Sequence, residues 1–404
     1  MRQIKGLTVQ AGLPMPTELI NTQQDLDALV ARIYESGSFA FDTEFIPEDT
    51  YEPELCLIQV ATPKELAVVD PRVIPRLAVF WNAVLDESLD VVVHAGSEDL
   101  RICYLQTGQL PQRVFDIQIA AGLVTAAYPS SLTSLVQRYM GKTVNSSETR
   151  TDWRKRPLTP GQIQYALDDV RHLLPIAEIL RQKLHDNGRL EWNEEESRVL
   201  LGEIVKRDHP DRWMRISGVH TLNRRSQEIA RRLFGWRLDI AIRTNRPVRQ
   251  SMRDDLLVSI AKRQPKSRAD LENLRDFNKS SHLKAAPEIL NIVQQAMKVP
   301  DNELPRLPRR VDDLAGGSML VGIMTAAMAY ACVQAQVAQG LVGSISDIKD
   351  LVRWSLEGKP ADDLPQLLQA WRADVCGNLM LDVLEGRKAL RVIDPAADVP
   401  VSIE

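Results

Sequence analysis

Apolar residues run through the first half of the chain in two rhythms. Leu26, Leu29, Val30 and Ile33 recur at helical spacing behind Thr22 and Asp25, which form a capping-box pair, and predict a first helix. The stretch Ser38-Phe39-Ala40-Phe41-Asp42-Thr43-Glu44-Phe45 then predicts a strand covered on both faces. Short apolar runs at 56–60 and 66–69 flank the turn Thr62-Pro63-Lys64-Glu65, and spacing this close favours an antiparallel meander. A helix over 74–85, strands over 90–94 and 113–117, and helices over 118–124 and 131–139 continue the alternation. The strongest helix signal follows: Thr159 as N-cap, Pro160 at the first position and Gln162 closing a capping box, with Pro175 kinking the continuation to 184.

The second half reads as all helical. A linker near 208–218 precedes a helix over 222–243, with Ile229, Leu233, Trp236 and Ile240 on one stripe and Arg224, Arg225, Arg231, Arg232 and Arg237 on the other faces. Shorter helices are predicted over 254–262, 267–275 and 287–297. Pro305 and Pro308 mark a second linker over 301–310. The span 314–346 carries no charge and is long enough to cross a bilayer, but Gln334, Gln336 and Gln339 and the glycines at 316, 317 and 322 point instead to a buried helix of a water-soluble domain. Helices over 346–356 and 363–384 complete this half.

Composition narrows the class. At 404 residues the chain is too long for one ordinary core, which predicts two to three domains. Four scattered cysteines have no zinc-ligand or disulfide spacing and suit a reducing cytoplasm. Residues 1–10 show no targeting pattern. The net charge of −4 conceals a basic block: residues 201–270 hold 17 Lys and Arg against 8 Asp and Glu. Such a block suits a polyanionic partner, and a solvated helical surface is the plainer alternative.

The acidic residues collect at three places. Asp42 and Glu44 share one face of their strand, because side chains alternate. A pair of anions there is costly unless it is solvated or a cation sits between them, and hard divalent cations take carboxylate oxygens. Glu98 and Asp99 start a helix after His94-Ala95-Gly96-Ser97, where the helix dipole already favours them. Tyr165 shares a helix face with Asp169, and Asp168 lies near it, so spacing alone leaves both aspartates open. Converging, four such carboxylates could hold two Mg²⁺ ions about 3.5–4 Å apart on a phosphodiester.

Asp42-Thr43-Glu44-Phe45, His94-Ala95-Gly96-Ser97-Glu98-Asp99-Leu100 and Tyr165-Ala166-Leu167-Asp168-Asp169 resemble the three motifs of the DEDD 3′→5′ exonucleases. Arg150-Thr151-Asp152-Trp153, with Arg156-Pro157-Leu158, resembles the ribonuclease D family in particular. The likeness covers about residues 20–185. It implies metal ligands at Asp42, Glu44, Asp99 and Asp169 and a catalytic tyrosine at Tyr165. Gln164 stands where the sister subtype has histidine. The basic helical block resembles an HRDC domain, and the last helices a second, degenerate copy.

The resemblance implies a ribonuclease H-like α/β exonuclease domain (18–205), an HRDC domain that binds nucleic acid (218–300) and a second HRDC-like helical domain (312–395). It implies a cytoplasmic enzyme using two divalent ions, Mg²⁺ or Mn²⁺, to hydrolyse RNA from the 3′ end to nucleoside 5′-monophosphates. The implied substrates are tRNA precursors with 3′ extensions, with no membrane and no obligate protein partner. A Werner-type DNA exonuclease and a catalytically silent RNA-binding protein are the alternatives. Candidate RNA contacts are Arg150, Trp153, Arg154 and Arg156 in a loop beside the site, and Arg224, Arg225, Arg231 and Arg232 on the basic helix. Trp153 reads either as packing or as an exposed ring for stacking a terminal base. His94 and His172 read as structural.

Overall fold

The computed structural model describes residues 17–144, 151–206, 210–307 and 316–404. Its first part is built on a six-stranded mixed sheet in the order β1-β4-β3-β2-β5-β6. The strands are β1 (Thr17–Ile20), β2 (Ser38–Ile46), β3 (Glu54–Ala61), β4 (Leu66–Val69), β5 (Asp90–Val93) and β6 (Val114–Asp116). β2, β3 and β4 form the antiparallel meander that their close spacing dictates. β5 and β6 add in parallel beside β2, each after a helical crossover, and β1 adds in parallel to β4.

Alternation along the strands divides the core. Phe39, Phe41, Val91 and Val93 face a layer made by α1 (Gln23–Ser36), α2 (Ala78–Leu85) and α3 (Ser97–Thr107). Ala40, Leu57, Val68 and Val92 face the layer of α4 (Ile117–Gly122), α5 (Leu132–Met140), α6 (Pro160–Arg171) and α7 (Leu173–Asp186). Asp42 and Glu44 have the parity of Ala40 and so emerge on the α6 side. The pairing register slips between Glu44 and Phe45, a strand irregularity directly beside the second carboxylate.

Local signals set several helix ends. Thr22 caps α1, its Oγ1 accepting the Asp25 N–H at 3.2 Å, and Thr159 and Gln162 form the capping box of α6. Pro175 does not kink one long helix. The chain breaks at His172, and Pro175 falls in the first turn of α7, where its missing N–H leaves nothing unsatisfied. α2 starts at Ala78 rather than 74, after Pro75 disfavours helix for the residue before it. A further helix, α8 (Leu190–Lys206), ends this part and has no counterpart among the elements read from the sequence.

A second core lies in α9 (Arg224–Thr244), α10 (Val248–Ser251), α11 (Asp254–Arg263), α12 (Arg268–Glu272) and α13 (Ser280–Met297). α13 begins seven residues before Pro287, which sits inside it. The helix keeps this costly residue because it buries His282, Ala286, Ile289, Val293 and Ala296 against the module. Residues 301–307 are not a free tether. Leu304 is buried, and the carbonyls of Asp301, Leu304 and Pro305 accept hydrogen bonds from Arg224.

The last part contains α14 (Gly317–Ala335), α15 (Gln339–Val342), α16 (Ile345–Leu356), α17 (Ala370–Arg372), α18 (Asn378–Leu384) and a terminal hairpin of β7 (Leu390–Val392) with β8 (Val401–Ile403). The long helix expected over 363–384 is interrupted by a 3-10 turn at Gln366–Leu368 and a π-helical turn at Ala373–Gly377. Gly377 permits this: a Cβ there would collide with the Leu367 carbonyl oxygen. The uncharged α14 is long and apolar enough to span a membrane, yet Val321, Met324, Ala327, Met328, Ala331 and Cys332 form one buried face. That face belongs to the same core as α4, α5 and α7, so this part is fused to the first rather than packed as a separate ball.

Candidate active site

The site forms where β2 and β5 end and α3 and α6 approach. Asp42, Glu44 and Asp169 each offer a carboxylate oxygen within 4.8 Å of the others. Asp99 is not one of these three. It comes from the first turn of α3 and accepts a 2.5 Å hydrogen bond from the Thr43 hydroxyl. Thr43 points to the face opposite its two acidic neighbours, and alternation along β2 foretold that much. Its grip on Asp99 needs the tertiary structure.

The start of α3 is held by Asp116 at the end of β6. Its carboxylate accepts the N–H groups of Ala95 and Gly96 at 3.0 Å each and of Gln118 at 2.8 Å. Gly96 must be glycine here, since a Cβ would stand 2.5 Å from a Val93 methyl. His94 lies 2.9 Å through Nε2 from the Ser130 carbonyl, a structural contact as its place at a strand end suggests. His172 is buried at the junction of α6 and α7, and desolvation lowers its pKa.

Burial raises every carboxylate in the cluster, and mutual repulsion adds to it at Asp42, Glu44 and Asp169. Asp42 lies well above the usual range, driven by desolvation and then by Asp99, Asp169 and Glu44. Glu44 rises to about 8, through desolvation and then Asp169 and Asp99. Asp169 rises to about 7 and Asp99 to about 6, again led by desolvation, while Tyr165 and Thr43 respectively oppose the rise. Such a set is stable as anions at neutral pH only with positive charge among them. The donors, all carboxylate oxygens, fit a hard divalent cation.

Tyr165 lies beside Asp169, and the two shift each other's pKa in opposite directions. Desolvation, followed by the charges of Asp169, Glu44 and Asp42, raises its pKa above the ordinary phenol value. Asp168 is occupied elsewhere, accepting 2.8 Å hydrogen bonds from Gln164 and Arg171. That leaves Asp169 as the aspartate of α6 in the cluster.

The loop residues differ from expectation. Trp153 is not an exposed ring: it is 3% exposed and packs in the core, its ring centroid 6.0 Å from that of Tyr165. Arg156 reaches both Asp70 oxygens and the carbonyls of Cys56, Trp153 and Lys155. Arg154 pairs with Asp49 at 2.5 Å and Glu54 at 3.1 Å. Arg150 lies outside the described residues.

The arginines of α9 are engaged as well. Arg225 binds the carbonyls of Ala296 and Val299 and the Asp301 carboxylate, while Arg224 ties down 301–305. Arg231 and Arg232 both bond the fully buried Glu228. Each of the four has a structural occupation, while Arg231 and Arg232 keep part of their guanidinium groups exposed.

Comparison with known proteins bears on the whole chain. Residues 17–185 match the family described as 3′-5′ exonuclease, and residues 226–293 match the HRDC domain. Ribonuclease D of Gluconacetobacter diazotrophicus is 34% identical over 95% of this chain and 97% of its own length. Ribonuclease D of Escherichia coli is 30% identical over 92% and 99%. The crystal structure of Escherichia coli RNase D, described as an exoribonuclease involved in structured RNA processing, superposes with a TM-score of 0.82 at 29% identity, covering 92% of this chain and 99% of that one. The catalytic core of RRP6 from Trypanosoma brucei gives 0.51 at 25% identity, over 70% and 80%.

Proposed function

This chain belongs to the ribonuclease D family of 3′→5′ exoribonucleases, and on that premise we propose the residues that do the work and the RNA they work on. Asp42, Glu44, Asp99 and Asp169 hold two divalent ions, Mg²⁺ or Mn²⁺. Tyr165 orients the attacking water, and the substrates are tRNA precursors with 3′ extensions in the cytoplasm. The observation that carries the assignment is the meeting of Asp42, Glu44 and Asp169 within 4.8 Å, with Tyr165 beside the last of them.

Bound metal supplies Lewis acidity to the phosphoryl oxygen and acidifies water. The chain's own residues do the rest. Tyr165, its pKa raised by burial and three carboxylates, remains a phenol at neutral pH and serves as a hydrogen-bonding post rather than a base. Trp153 packs beside its ring and limits the positions of the hydroxyl. Thr43 fixes Asp99, and Asp116 fixes the turn that delivers it. In the reaction the water oxygen bonds to phosphorus, the bond from phosphorus to the 3′ oxygen breaks, and that oxygen takes a proton. A nucleoside 5′-monophosphate leaves. We assign catalysis to residues 18–205, RNA binding to the HRDC unit at 218–300, and a supporting role to the second HRDC-like unit at 312–395.

The test is degradation of a 5′-labelled, 3′-extended tRNA with Mg²⁺, Mn²⁺ or EDTA, beside Asp42→Asn and Tyr165→Phe. Stepwise metal-dependent shortening, abolished in the first variant and slowed about 10²-fold in the second by loss of water orientation, is the expected result. Matched DNA degraded in preference to RNA would point to a Werner-type enzyme. Full activity in Asp42→Asn would overturn the site.

A further inference from the structure

The basic block has a second cationic surface besides the α9 arginines that hold Glu228 and the 296–305 backbone. A cavity of about 270 Å³ opens between the 3-10 turn Pro210–Arg215, the second half of α9 and α10. Arg212, Arg215, Arg237 and Arg249 line it, with Asp254 and Phe234.

Arg237 is the inner member. It is 4% exposed, pairs with Asp254 at 2.6 Å through Nη1, and lies 5.1 Å from the Phe234 ring centroid. Its Nε is buried with no hydrogen-bond partner. Its charge is therefore held at the floor of the cavity with only part of its donor capacity used. Arg215 and Arg249 are exposed at the rim. Among the described residues Arg249 makes no ion pair, and Arg215 makes a loose one with Glu203 at 3.5 Å. Asp254, the one acid lining the cavity, is already matched by Arg237. The guanidinium fork suits phosphate oxygens over any neutral ligand.

Position selects the kind of phosphate. A second cavity of about 370 Å³, lined by Lys206, Arg212 and Arg215 with Asp211 and Met214, extends this surface toward the end of α8 with three cations to one acid. On the other side, Asn245 at the end of α9 accepts a hydrogen bond from the Glu52 N–H at 3.0 Å, and Tyr51 packs on the module's core. Residues 51 and 52 lie between β2, which carries Asp42 and Glu44, and β3. The arginine cavity therefore belongs to the module that touches the loop leaving the catalytic strand. A free nucleotide would have no need of so extended a surface, whereas a polymer whose end lies in the catalytic site would.

We infer that the sugar–phosphate backbone of the RNA body docks at this cavity, its phosphates against Arg215 and Arg249 at the rim, with the charge of Arg237 beneath them. The inference rests on the exoribonuclease reading and adds where the uncleaved part of the substrate is held.

Binding of a 5′-labelled, 3′-extended tRNA to the full chain is measured by anisotropy in EDTA, where nothing is cut, across a series of salt concentrations. Arg215→Ala with Arg249→Ala should weaken binding about tenfold and lower the slope of log K against log salt by about 1.4–1.8, from roughly 0.7–0.9 per phosphate contact. Arg263→Ala with Arg275→Ala removes the same charge elsewhere on the module and should leave the slope near that of wild type. An unchanged slope in the rim variant, or an equal loss in the charge-matched control, overturns the inference. Failure of the wild type to cut RNA when metal is restored would count against the function and leave this binding result standing.

Discussion

Replacing Arg372 by Met should loosen the last helices from the exonuclease domain. Arg372 and Glu196 are both buried, and they join α17 to α8 across the chain. Arg372 donates Nη1 and Nη2 to the two Glu196 oxygens at 2.6 and 2.8 Å, and Nε to the Val342 carbonyl at 2.8 Å. Trp371 adds a 3.0 Å bond to Glu196 and stacks on Trp192, ring centroids 5.0 Å apart. Arg372→Met keeps the bulk and strands a buried carboxylate, a change that costs about 3–5 kcal/mol. Glu196→Gln keeps the shape and an acceptor and should cost less, about 1–3 kcal/mol. Glu196→Leu combined with Arg372→Met should recover much of the loss, because a buried pair can be exchanged for apolar groups. Urea unfolding followed by tryptophan emission reads all four proteins. A chain of several units need not unfold in one step, so the midpoint of the first transition is the quantity to compare. Raising salt should change the wild type little, since a buried pair is poorly screened. A first transition in Arg372→Met coincident with wild type would refute this reasoning, as would a double variant no better than the single one.

Metal-free protein should lose stability as pH rises from about 4 toward 8, because the folded cluster, with Glu44 at about 8 and Asp169 at about 7, holds protons that the unfolded chain has released. Thermal melts in EDTA should show this fall, Asp42→Asn should flatten it, and Mg²⁺ should stabilise more at pH 8 than at pH 5; a flat EDTA profile contradicts the electrostatics. Trp153→Ala should cost about 3–5 kcal/mol in denaturant unfolding and slow turnover through Tyr165, while RNA affinity in EDTA holds; a selective loss of affinity would restore the stacking role. Gly96→Ala should destabilise by about 1–3 kcal/mol through overpacking against Val93 and depress kcat by misplacing Asp99, read by melting and single-turnover kinetics; wild-type kcat would show that the α3 start tolerates the shift.

The sequence by itself determined the local elements and the candidate acids. Alternation put Asp42 and Glu44 on one face of β2, and caps at Thr22 and Thr159 started α1 and α6 where they begin. Those signals act within a few residues, so a linear reading captures them. Glu228 with Arg231 and Arg232 stands at the same short range, and the i, i+3 and i, i+4 spacing makes their ion pairs legible in the sequence. The motif resemblance pointed to Asp169 rather than Asp168, but only the tertiary structure gave Thr43 to Asp99, buried Trp153 behind Tyr165 and drew Arg224 and Arg225 onto the 296–305 backbone. It also joined α14 and α17 to the exonuclease core through contacts such as Arg372 with Glu196, 176 residues apart. A charge or an aromatic ring announces itself in the sequence, but its partner is set by which distant segments the sheet and helices bring together.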